Sequence, residues 1–205
     1  MNPILFGILM VFSTNSLTFA MDFLLQKKFY NPITIEGIVL ILCFFVFFDN
    51  FDLFPTLFYN TEKNIQFLSI FQFLIFFDFL QYWIHRFEHW EKLDYHRFHH
   101  LFRIPSVKVA FVGHILDTIL LVLVPLYTCM LLFPMNMYSF IVSGSIFSNF
   151  FLYIHNNHNF VFDKYLPYVG FISAKQHEMH HRFCNCNFGH LFVWNDYLFR
   201  TLKNE

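Results

Sequence analysis

Long apolar runs constrain this chain more than any other feature of its sequence. Of the 205 residues, 57% are hydrophobic and 13% are charged, whereas about a quarter of the residues of a soluble protein are charged. A helix needs about 20 mostly apolar residues to cross the hydrocarbon of a bilayer. The sequence therefore predicts an all-α, multi-span integral membrane protein. Five predicted spans cover residues 3–21, 33–48, 65–84, 119–133 and 137–154.

The basic residues predict how these spans are oriented. No Lys or Arg precedes Lys27, so we expect the first run to be a retained span rather than a signal peptide. With three spans before His85 and two after it, twelve of the thirteen Lys and Arg residues lie on one side, and Lys63 lies on the other. Because cytoplasmic loops carry the excess of basic residues, residues 85–106 and 155–205 are predicted to form a cytoplasmic, histidine-rich helical cap.

Histidines are confined to the second part of the chain, where all twelve lie between positions 85 and 190. Three groups have spacings of three or four residues, which place their imidazoles on one face of a helix. Neutral imidazole is a ligand of iron, zinc and copper, and one zinc ion takes only three or four such ligands. Ten clustered histidines therefore predict two metal ions with four or five ligands each. The ten candidates are His85, His89, His96, His99, His100, His155, His158, His177, His180 and His181. The sequence does not choose between His155 and His158 as the ligand that lies between the helical groups.

One acidic residue, Asp78, interrupts the third predicted span. A carboxylate at the centre of a membrane helix costs about 2.5–3.5 kcal/mol, so such residues tend to have partners. Asp78 precedes His85 by seven residues, which is close to two helical turns and places both on the same helix face. We therefore expect Asp78 to accept a hydrogen bond from a metal-binding histidine.

Three other kinds of metal-binding protein share part of this pattern. The segment His177-Glu178-Met179-His180-His181 contains the His-Glu-x-x-His signature of zinc metalloproteases. In such a protease Glu178 would be the general base, and His177 and His181 would hold zinc, but the earlier histidines would have no role. Soluble-type di-iron proteins need two Glu-x-x-His motifs, and only Glu178 with His181 fits. A metal transporter would place its ligands near the bilayer midplane, whereas these histidines lie at the ends of spans and beyond.

The histidine groups and their flanking residues resemble the fatty acid hydroxylase superfamily, in particular its sterol desaturase and sterol methyl oxidase branch. Asp78-x-x-x-Tyr82-Trp83-x-His85-Arg86-x-x-His89 is similar to the first signature of that family. His96-x-x-His99-His100 and His177-x-x-His180-His181 are similar to its second and third histidine boxes. Asn187-Phe188-Gly189 and Asp196-x-Leu198-Phe199-x-Thr201 resemble its C-terminal segment, and His114 with Asp117 resembles its His-Pro-x-Glu element.

The resemblance covers roughly residues 74–202 and has four departures that leave every histidine in place. They are Ile115 for Pro, Asp117 for Glu, Asn195 for an aromatic residue and Arg200 for Gly. Because glycine often supplies a positive φ, Arg200 predicts a different C-terminal turn. The resemblance implies N-terminal membrane spans over residues 1–64 and a catalytic domain over residues 65–205, within one structural unit.

The resemblance also implies an activity, that of a membrane-bound non-haem di-iron oxygenase. Such an enzyme hydroxylates or desaturates a C–H bond of a fatty acyl or sterol-like lipid with two iron ions, O2 and electrons from NAD(P)H, and zinc can replace iron on overexpression. The sequence has no Gly-x-Gly-x-x-Gly motif, so the expected donor is a separate b-type cytochrome or ferredoxin. A net charge of −1 gives no basic field for nucleic acid. Residues expected to orient the metal-binding imidazoles are Asp78, Glu88, His114, Asp117, Glu178, Asn187 and Asp196.

Overall fold

Helices form the regular secondary structure in the residues that this computed structural model describes, which are 43–60, 64–97, 99–110, 113–158 and 160–204. The helices are α1 (43–50), α2 (Phe67–Trp90), α3 (Asp94–Arg97), α4 (Ile115–Leu132), α5 (Met137–Ile154), α6 (Ala174–Phe183) and α7 (Trp194–Leu198). Short 3-10 turns lie at Thr56–Tyr59, His99–Leu101, Val107–Val109 and Asp163–Val169. Within these ranges no β-strand occurs, and an isolated bridge pairs Phe171 with Phe192. The all-α prediction is therefore confirmed for the described residues.

Helices α2, α4 and α5 are each long and apolar enough to cross a membrane. They coincide with the predicted spans 65–84, 119–133 and 137–154, and they support an integral membrane protein. Large apolar side chains project from the start of α2, where Phe67 is 78% exposed and Leu68 is 70% exposed, as expected for a lipid-facing surface. The predicted span at 3–21 and most of the one at 33–48 lie outside the described residues, so the count of five stays a prediction.

Phenylalanine rings form much of the packing between α2 and α5. Phe73 and Phe77, one turn apart on α2, stack with ring centroids 5.5 Å apart. From α5, Phe140 meets Phe73 edge to face at 5.8 Å, and Phe147 meets Phe77 at 4.6 Å. Aromatic pairs of this geometry contribute about 0.5–1.5 kcal/mol beyond the area that they bury. The abundant phenylalanine thus supplies the core that holds the spans side by side.

Helix α4 contains a π-helical segment, Ile119–Leu123, directly before Pro125. Proline has no backbone N–H, so the carbonyl four residues earlier, that of Leu121, loses its usual helical donor. The side-chain amide of Gln81 on α2 donates to this carbonyl at 2.7 Å. The carbonyl left free by the irregularity in α4 is therefore hydrogen-bonded by a side chain of α2. This bond holds the two helices against each other.

Polar side chains at the other end of the spans tie the start of α2 to the turn between α4 and α5. Asn136 caps α5 by accepting a hydrogen bond from the Ser139 N–H at 2.9 Å. The Gln66 backbone N–H donates to Ser139 Oγ, and the Gln66 side chain accepts from the Asn136 N–H, both at 2.9 Å. Residues 134–136 connect α4 to α5. Because α2 and α5 begin at this end, both helices deliver the chain to the same opposite end, where the histidines lie.

The residues after α5 fold over the ends of α2 and α5 as a cap. Helix α6 begins with a capping box in which Ser173 and Gln176 exchange side-chain and backbone hydrogen bonds. The Ile172 N–H donates to Leu191 O at 3.1 Å, and the Val193 N–H donates to Gly170 O at 3.0 Å. These bonds hold the segment before α6 beside the segment before α7.

The turn after α7 corrects the expectation based on Arg200. This residue has a φ of +57°, which is the left-handed conformation that glycine usually supplies. The Thr201 N–H donates to Asp196 O at 2.8 Å and the Arg200 N–H donates to Tyr197 O at 3.4 Å, the two bonds of a Schellman motif. The prediction of a different turn was wrong, because these bonds hold the left-handed geometry despite the Cβ of Arg200.

Candidate metal centre

Five imidazoles meet in a first set, in which the Nε2 atoms point at one another. The members are His85, His89, His96, His100 and His180. His89 Nε2 lies 3.3 Å from that of His85, 3.2 Å from that of His180 and 3.1 Å from that of His96. His100 Nε2 lies 3.0 Å from His96 and 3.3 Å from His180. Helices α2, α3 and α6 and the turn after α3 thus all contribute to one centre.

Four further imidazoles, all buried, form a second set. The members are His99, His155, His177 and His181. His155 Nε2 lies 3.2 Å from that of His99 and 3.1 Å from that of His177, and His181 Nε2 lies 3.2 Å from His177. The sets are adjacent, since the ring centroids of His100 and His181 are 4.7 Å apart. The structure therefore brings nine of the ten predicted histidines together and places His155, not His158, among them.

The hydrogen bonds on the far side of the rings show which nitrogen faces inward with a lone pair. The Nδ1 atoms bond to backbone carbonyls: His85 to Phe188 at 2.9 Å, His155 to Phe151 at 2.7 Å, His180 to Cys186 at 2.8 Å and His181 to Phe102 at 3.1 Å. A carbonyl oxygen only accepts, so each of these Nδ1 atoms carries the proton. In the neutral ring Nε2 then has a free lone pair, which is the state of a metal ligand.

This arrangement fits a cation better than it fits hydrogen bonding among the rings. His89 Nε2 contacts three other Nε2 atoms, and its single possible proton can serve only one of them. The remaining contacts oppose lone pairs unless a positive ion lies between them. Ligand nitrogens at about 2.0–2.1 Å from one ion are about 3.0–3.4 Å apart, and the observed separations lie between 3.0 and 3.3 Å. Both sets can therefore hold a metal ion.

Burial keeps the imidazoles of the cap neutral. Desolvation, followed by the charge that neighbouring imidazoles would carry, lowers the pKa of His155, His177, His180 and His181 well below its usual value. The same causes, burial first, lower the pKa of His190 to about 3. Neutral imidazole is the form that binds metal, so the fold holds these rings ready for metal at neutral pH.

These lowered pKa values predict that the metal-free protein loses stability in mild acid. Unfolded histidines take up protons below about pH 6.5, while the buried ones stay neutral in the folded chain. The unfolded state then binds more protons, and stability falls by about 1.4 kcal/mol per pH unit for each such histidine. Between pH 7.5 and 8.5 these histidines should leave the thermal midpoint in detergent unchanged. From pH 6.5 to 5 we expect the midpoint to fall steeply. A midpoint that rises as the pH falls over that range would contradict the assignment.

Asp117 orients one ligand of the first set. Its Oδ1 lies 2.7 Å from Nδ1 of His96, and the Oε2 atom of buried Glu88 lies 3.5 Å from the same nitrogen. The imidazole N–H therefore donates to Asp117, which turns the lone pair of Nε2 toward the other four rings. The sequence predicted this role for Asp117, and its carboxylate lies within hydrogen-bond distance of His96.

Replacing Asp117 with alanine is expected to weaken metal binding at the first set by about 10- to 100-fold, the usual effect of removing the partner of a histidine ligand. The Asp117→Asn variant keeps an acceptor oxygen for the His96 N–H and should retain most of the affinity. Competition against a chelator of known affinity measures the change. Equal losses in the two variants would show that Asp117 acts through its charge, because Asp117→Asn keeps both the packing and an acceptor oxygen.

Two buried carboxylates fix the loop from Phe188 to Leu191, whose first carbonyl holds His85. Asp196 accepts from the N–H groups of Phe188 and Gly189, both at 2.8 Å. Asp78 accepts from those of His190 at 3.1 Å and Leu191 at 2.8 Å. The structure thus differs from the expectation for Asp78, whose partners are backbone amides of the loop and, at 3.3 Å, the side chain of Asn195 rather than an imidazole.

The segment Asn187-Phe188-Gly189 has a structural reason for its residue types. Asn187 has a φ of +54°, which asparagine tolerates better than most residues. Its side chain donates to Gln176 O and Lys203 O, both at 3.0 Å, and accepts from the Lys203 N–H. A Cβ on Gly189 would lie 2.6 Å from Phe192 O, so only glycine fits. These residues shape the loop that carries the Phe188 carbonyl.

Three residues predicted to belong to the site lie elsewhere. His158 belongs to neither set. His114 is exposed, and its Nδ1 accepts from the Leu116 N–H at the start of α4. Glu178 pairs with Lys175 at 3.2 Å and with Arg182. The geometry therefore does not favour a metalloprotease, because the carboxylate that would be its general base is taken up by two cations on its own helix.

Sequence reasoning missed the backbone carbonyls that orient the rings, and it left His190 without a role. The carbonyls belong to Phe102, Phe151, Cys186 and Phe188. No side-chain pattern marks a carbonyl acceptor in a sequence. The one available signal was the Asn187-Phe188-Gly189 segment, because Asn and Gly are residue types that favour a loop with an unusual backbone conformation.

A partly open cavity of about 480 Å³ lies beside the first set. Three members of that set and two basic residues are among the eight that line it. The eight are Glu88, His89, Lys92, Leu93, His96, Arg97, His100 and Cys184. The thiol of Cys184 lies 3.7 Å from Nδ1 of His100. The lining residues come from the end of α2, from α3 and its flanking residues, and from the segment after α6.

Comparisons with known proteins agree with this site. Residues 70–201 match the family model described as fatty acid hydroxylase. The chain is 30% identical over 174 residues to an alternative squalene epoxidase of Phaeodactylum tricornutum, covering 82% of this chain and 50% of that protein. It is 33% identical over 138 residues to a Delta(7)-sterol-C5(6)-desaturase of Nicotiana tabacum, covering 64% and 48%, and 29% identical over 140 residues to human lathosterol oxidase, covering 67% and 46%.

The chain spans about half the length of these curated relatives, and no solved structure matches it. The family match, in contrast, extends from the first turn of α2 to the turn after α7 and includes both histidine sets and the loop that orients His85. The chain belongs to the fatty acid hydroxylase family.

Proposed function

We propose that this chain is a membrane-bound non-haem di-iron oxygenase that hydroxylates or desaturates a C–H bond of a fatty acyl or sterol-like lipid. The observation that carries the proposal is the pair of adjacent sets, of five and four imidazoles, whose Nε2 atoms converge within 4.8 Å of one another in each set. Imidazole suits iron as well as zinc and copper. The family and the relatives favour iron, because they include a sterol desaturase and a lathosterol oxidase.

The residues of the chain have the tasks of binding, orienting and shielding. Iron, when bound, supplies the redox chemistry of O2 that side chains lack. The tethered Nδ1 atoms hold the rings in place, and burial of the second set excludes water from that side of the centre. In hydroxylation the lipid C–H and O2, with two electrons and two protons, give an alcohol and water. In desaturation two adjacent C–H bonds of the lipid, with the same O2, electrons and protons, give a C=C bond and two waters.

The substrate and the electrons are proposed to arrive from different sides. The centre lies at the ends of α2 and α5, so a lipid reaches it from between the spanning helices. The cavity beside the first set is lined by Lys92 and Arg97, whose charge suits an acidic donor protein such as a b-type cytochrome or a ferredoxin reduced from NAD(P)H. The distribution of basic residues favours a cytoplasmic position for this side.

The outcome of the reaction depends on how the lipid carbon is held. The relatives are named for epoxidation, desaturation and sterol oxidation, although they share a family. A small displacement of the reacting carbon changes reactivity strongly. We therefore propose that the side chains lining the lipid path, and not the histidines, decide between a hydroxylated and a desaturated product.

Metal analysis of protein purified in detergent tests this function. We expect about two iron ions per chain when the protein is produced with sufficient iron. Comparison of lipids from cells with and without the protein should reveal a lipid that has gained an oxygen or lost two hydrogens. One zinc ion per chain, lost in His177→Ala but retained in His85→Ala, would instead support a metalloprotease.

A further inference from the structure

His190 is a tenth imidazole at the centre; it is buried and belongs to neither set. It is 4% exposed. Its ring stacks on His85 of the first set with centroids 4.7 Å apart and an interplanar angle of 18°. Its ring centroid also lies 5.8 Å from that of His177 of the second set and 5.4 Å from that of Phe151. His190 therefore borders both sets at once.

The Nδ1 atom of His190 lacks the kind of carbonyl partner that holds the Nδ1 atoms of His85, His155, His180 and His181. Its Nδ1 is buried and has no hydrogen-bond partner among the described residues. The Nδ1 atom of neighbouring His177 is in the same condition. Buried polar groups without a partner are rare because desolvation is not repaid. Two such nitrogens lie on neighbouring rings, and each can bond to a polar ligand.

The position of His190 is built into the fold. Its backbone N–H and that of Leu191 both bind Asp78 Oδ1, at 3.1 and 2.8 Å. Asp78 lies on α2, two turns before His85, so the helix that supplies the first set also places His190. These bonds fix the backbone at His190, and burial together with stacking on His85 restricts the ring itself. A ligand that bonds to its Nδ1 therefore has to enter the site.

We propose that His190 is a positioning residue whose Nδ1 hydrogen-bonds to a hydroxyl-type oxygen held between the two sets. A hydroxyl or a water molecule both donates and accepts, so it satisfies Nδ1 in either tautomer. The oxygen belongs either to a small ligand of the centre, such as water, or to a hydroxyl group of the lipid near the carbon that reacts. This inference rests on the proposed function, because it requires metal ions in both sets.

Two substitutions distinguish the contribution of the Nδ1 atom from that of the packed ring. In His190→Asn a polar atom of the amide occupies the place of Nδ1. In His190→Phe the ring and its stacking on His85 remain, but the nitrogen is lost. The iron content of both variants and of the unmodified protein is measured first. Fewer than two irons in the unmodified protein would refute the proposed function itself. Loss of iron from both variants alike would show that His190 is a ligand or a structural residue, and it would overturn this inference.

The first arm uses azide, which replaces water at iron, and follows its absorption band in the oxidised, iron-loaded protein. If the oxygen comes from a small ligand, His190→Phe should weaken azide binding by about fivefold, the effect of losing one hydrogen bond, and His190→Asn should bind as the unmodified protein does. The second arm uses zinc-loaded protein, which does not turn over, with octadecan-1-ol and octadecane. If the oxygen comes from the lipid, the alcohol should raise the thermal midpoint more than the alkane does, except in His190→Phe.

Each pattern decides the matter. A defect confined to His190→Phe in either arm supports the inference and names the source of the oxygen. No defect in either arm, with two irons bound, overturns it while leaving the proposed function intact. An equal defect in His190→Asn and His190→Phe also overturns it, because packing of the ring and not the nitrogen would then be responsible.

Discussion

Replacing His85 or His177 with alanine is expected to abolish product formation and to remove about one metal ion per chain in each case. His85 is one of five imidazoles in the first set, and His177 is one of four in the second. Loss of a residue that merely orients a ligand typically costs 10- to 100-fold in metal affinity or activity, so loss of a ligand should cost more. Metal analysis and lipid comparison on the same purified variants measure both effects.

His158→Ala is the matched control for these two variants. It makes the same change at a nearby histidine that lies in neither set, so it should retain both metal ions and form product at a rate within about threefold of the unmodified protein. Normal activity in His85→Ala would refute a centre that uses both sets. Loss of metal in His158→Ala would instead show that the second set has a further ligand.

The spans were predictable from the sequence because the hydrocarbon thickness sets a length for an apolar helix. Three predicted spans agree with α2, α4 and α5 to within a few residues, apart from the end of α2, which continues past Ile84 to Trp90. The thickness of the hydrocarbon limits the length of the apolar surface of a helix, whereas the helix itself can continue beyond the bilayer. The continuation brings His85 and His89 one turn apart onto the same rigid helix.

The division of the histidines between two sets follows partly from helical geometry. His96 and His100 fall in the first set while His99 falls in the second, and His177 and His181 fall in the second while His180 falls in the first. At 100° per residue, positions i and i+4 differ by only about 40° around a helix, whereas positions i+3 and i+4 differ by about 100°. In α6 this spacing gives the outer pair, His177 and His181, to one set and His180 to the other. The His96–His100 group divides in the same way, although α3 ends at Arg97 and His99 and His100 lie in a 3-10 turn.

The partner of Asp78 could not be predicted from the sequence in the same way. Helical periodicity correctly places Asp78 on the face of α2 that carries His85, but it does not say what packs against that face. In the structure a loop more than 100 residues later in the chain lies there, and its backbone N–H groups take the carboxylate. The oriented carbonyls of Phe188 and Cys186 were hidden for the same reason.

Removing the carboxylate in Asp78→Ala is expected to lower the free energy of unfolding by about 3 kcal/mol or more. The change leaves the N–H groups of His190 and Leu191 and the amide of Asn195 buried without their acceptor, and each orphaned group costs about 1–3 kcal/mol. Asp78→Asn keeps one acceptor oxygen and should lose about half as much. Unfolding of the metal-free protein by denaturant in detergent measures these differences.

The surface variant Asp94→Ala is the control for Asp78→Ala. Asp94 pairs with Arg97 at 3.0 Å, and both side chains are largely exposed, so its loss should cost no more than about 0.5 kcal/mol. If Asp78→Ala were as mild, the loop would be held by other contacts. If the large loss occurs, metal affinity should fall with it in Asp78→Ala, because the same loop presents the Phe188 carbonyl that turns Nε2 of His85 toward the first set. One buried carboxylate would then support both the fold of the cap and the geometry of the metal centre.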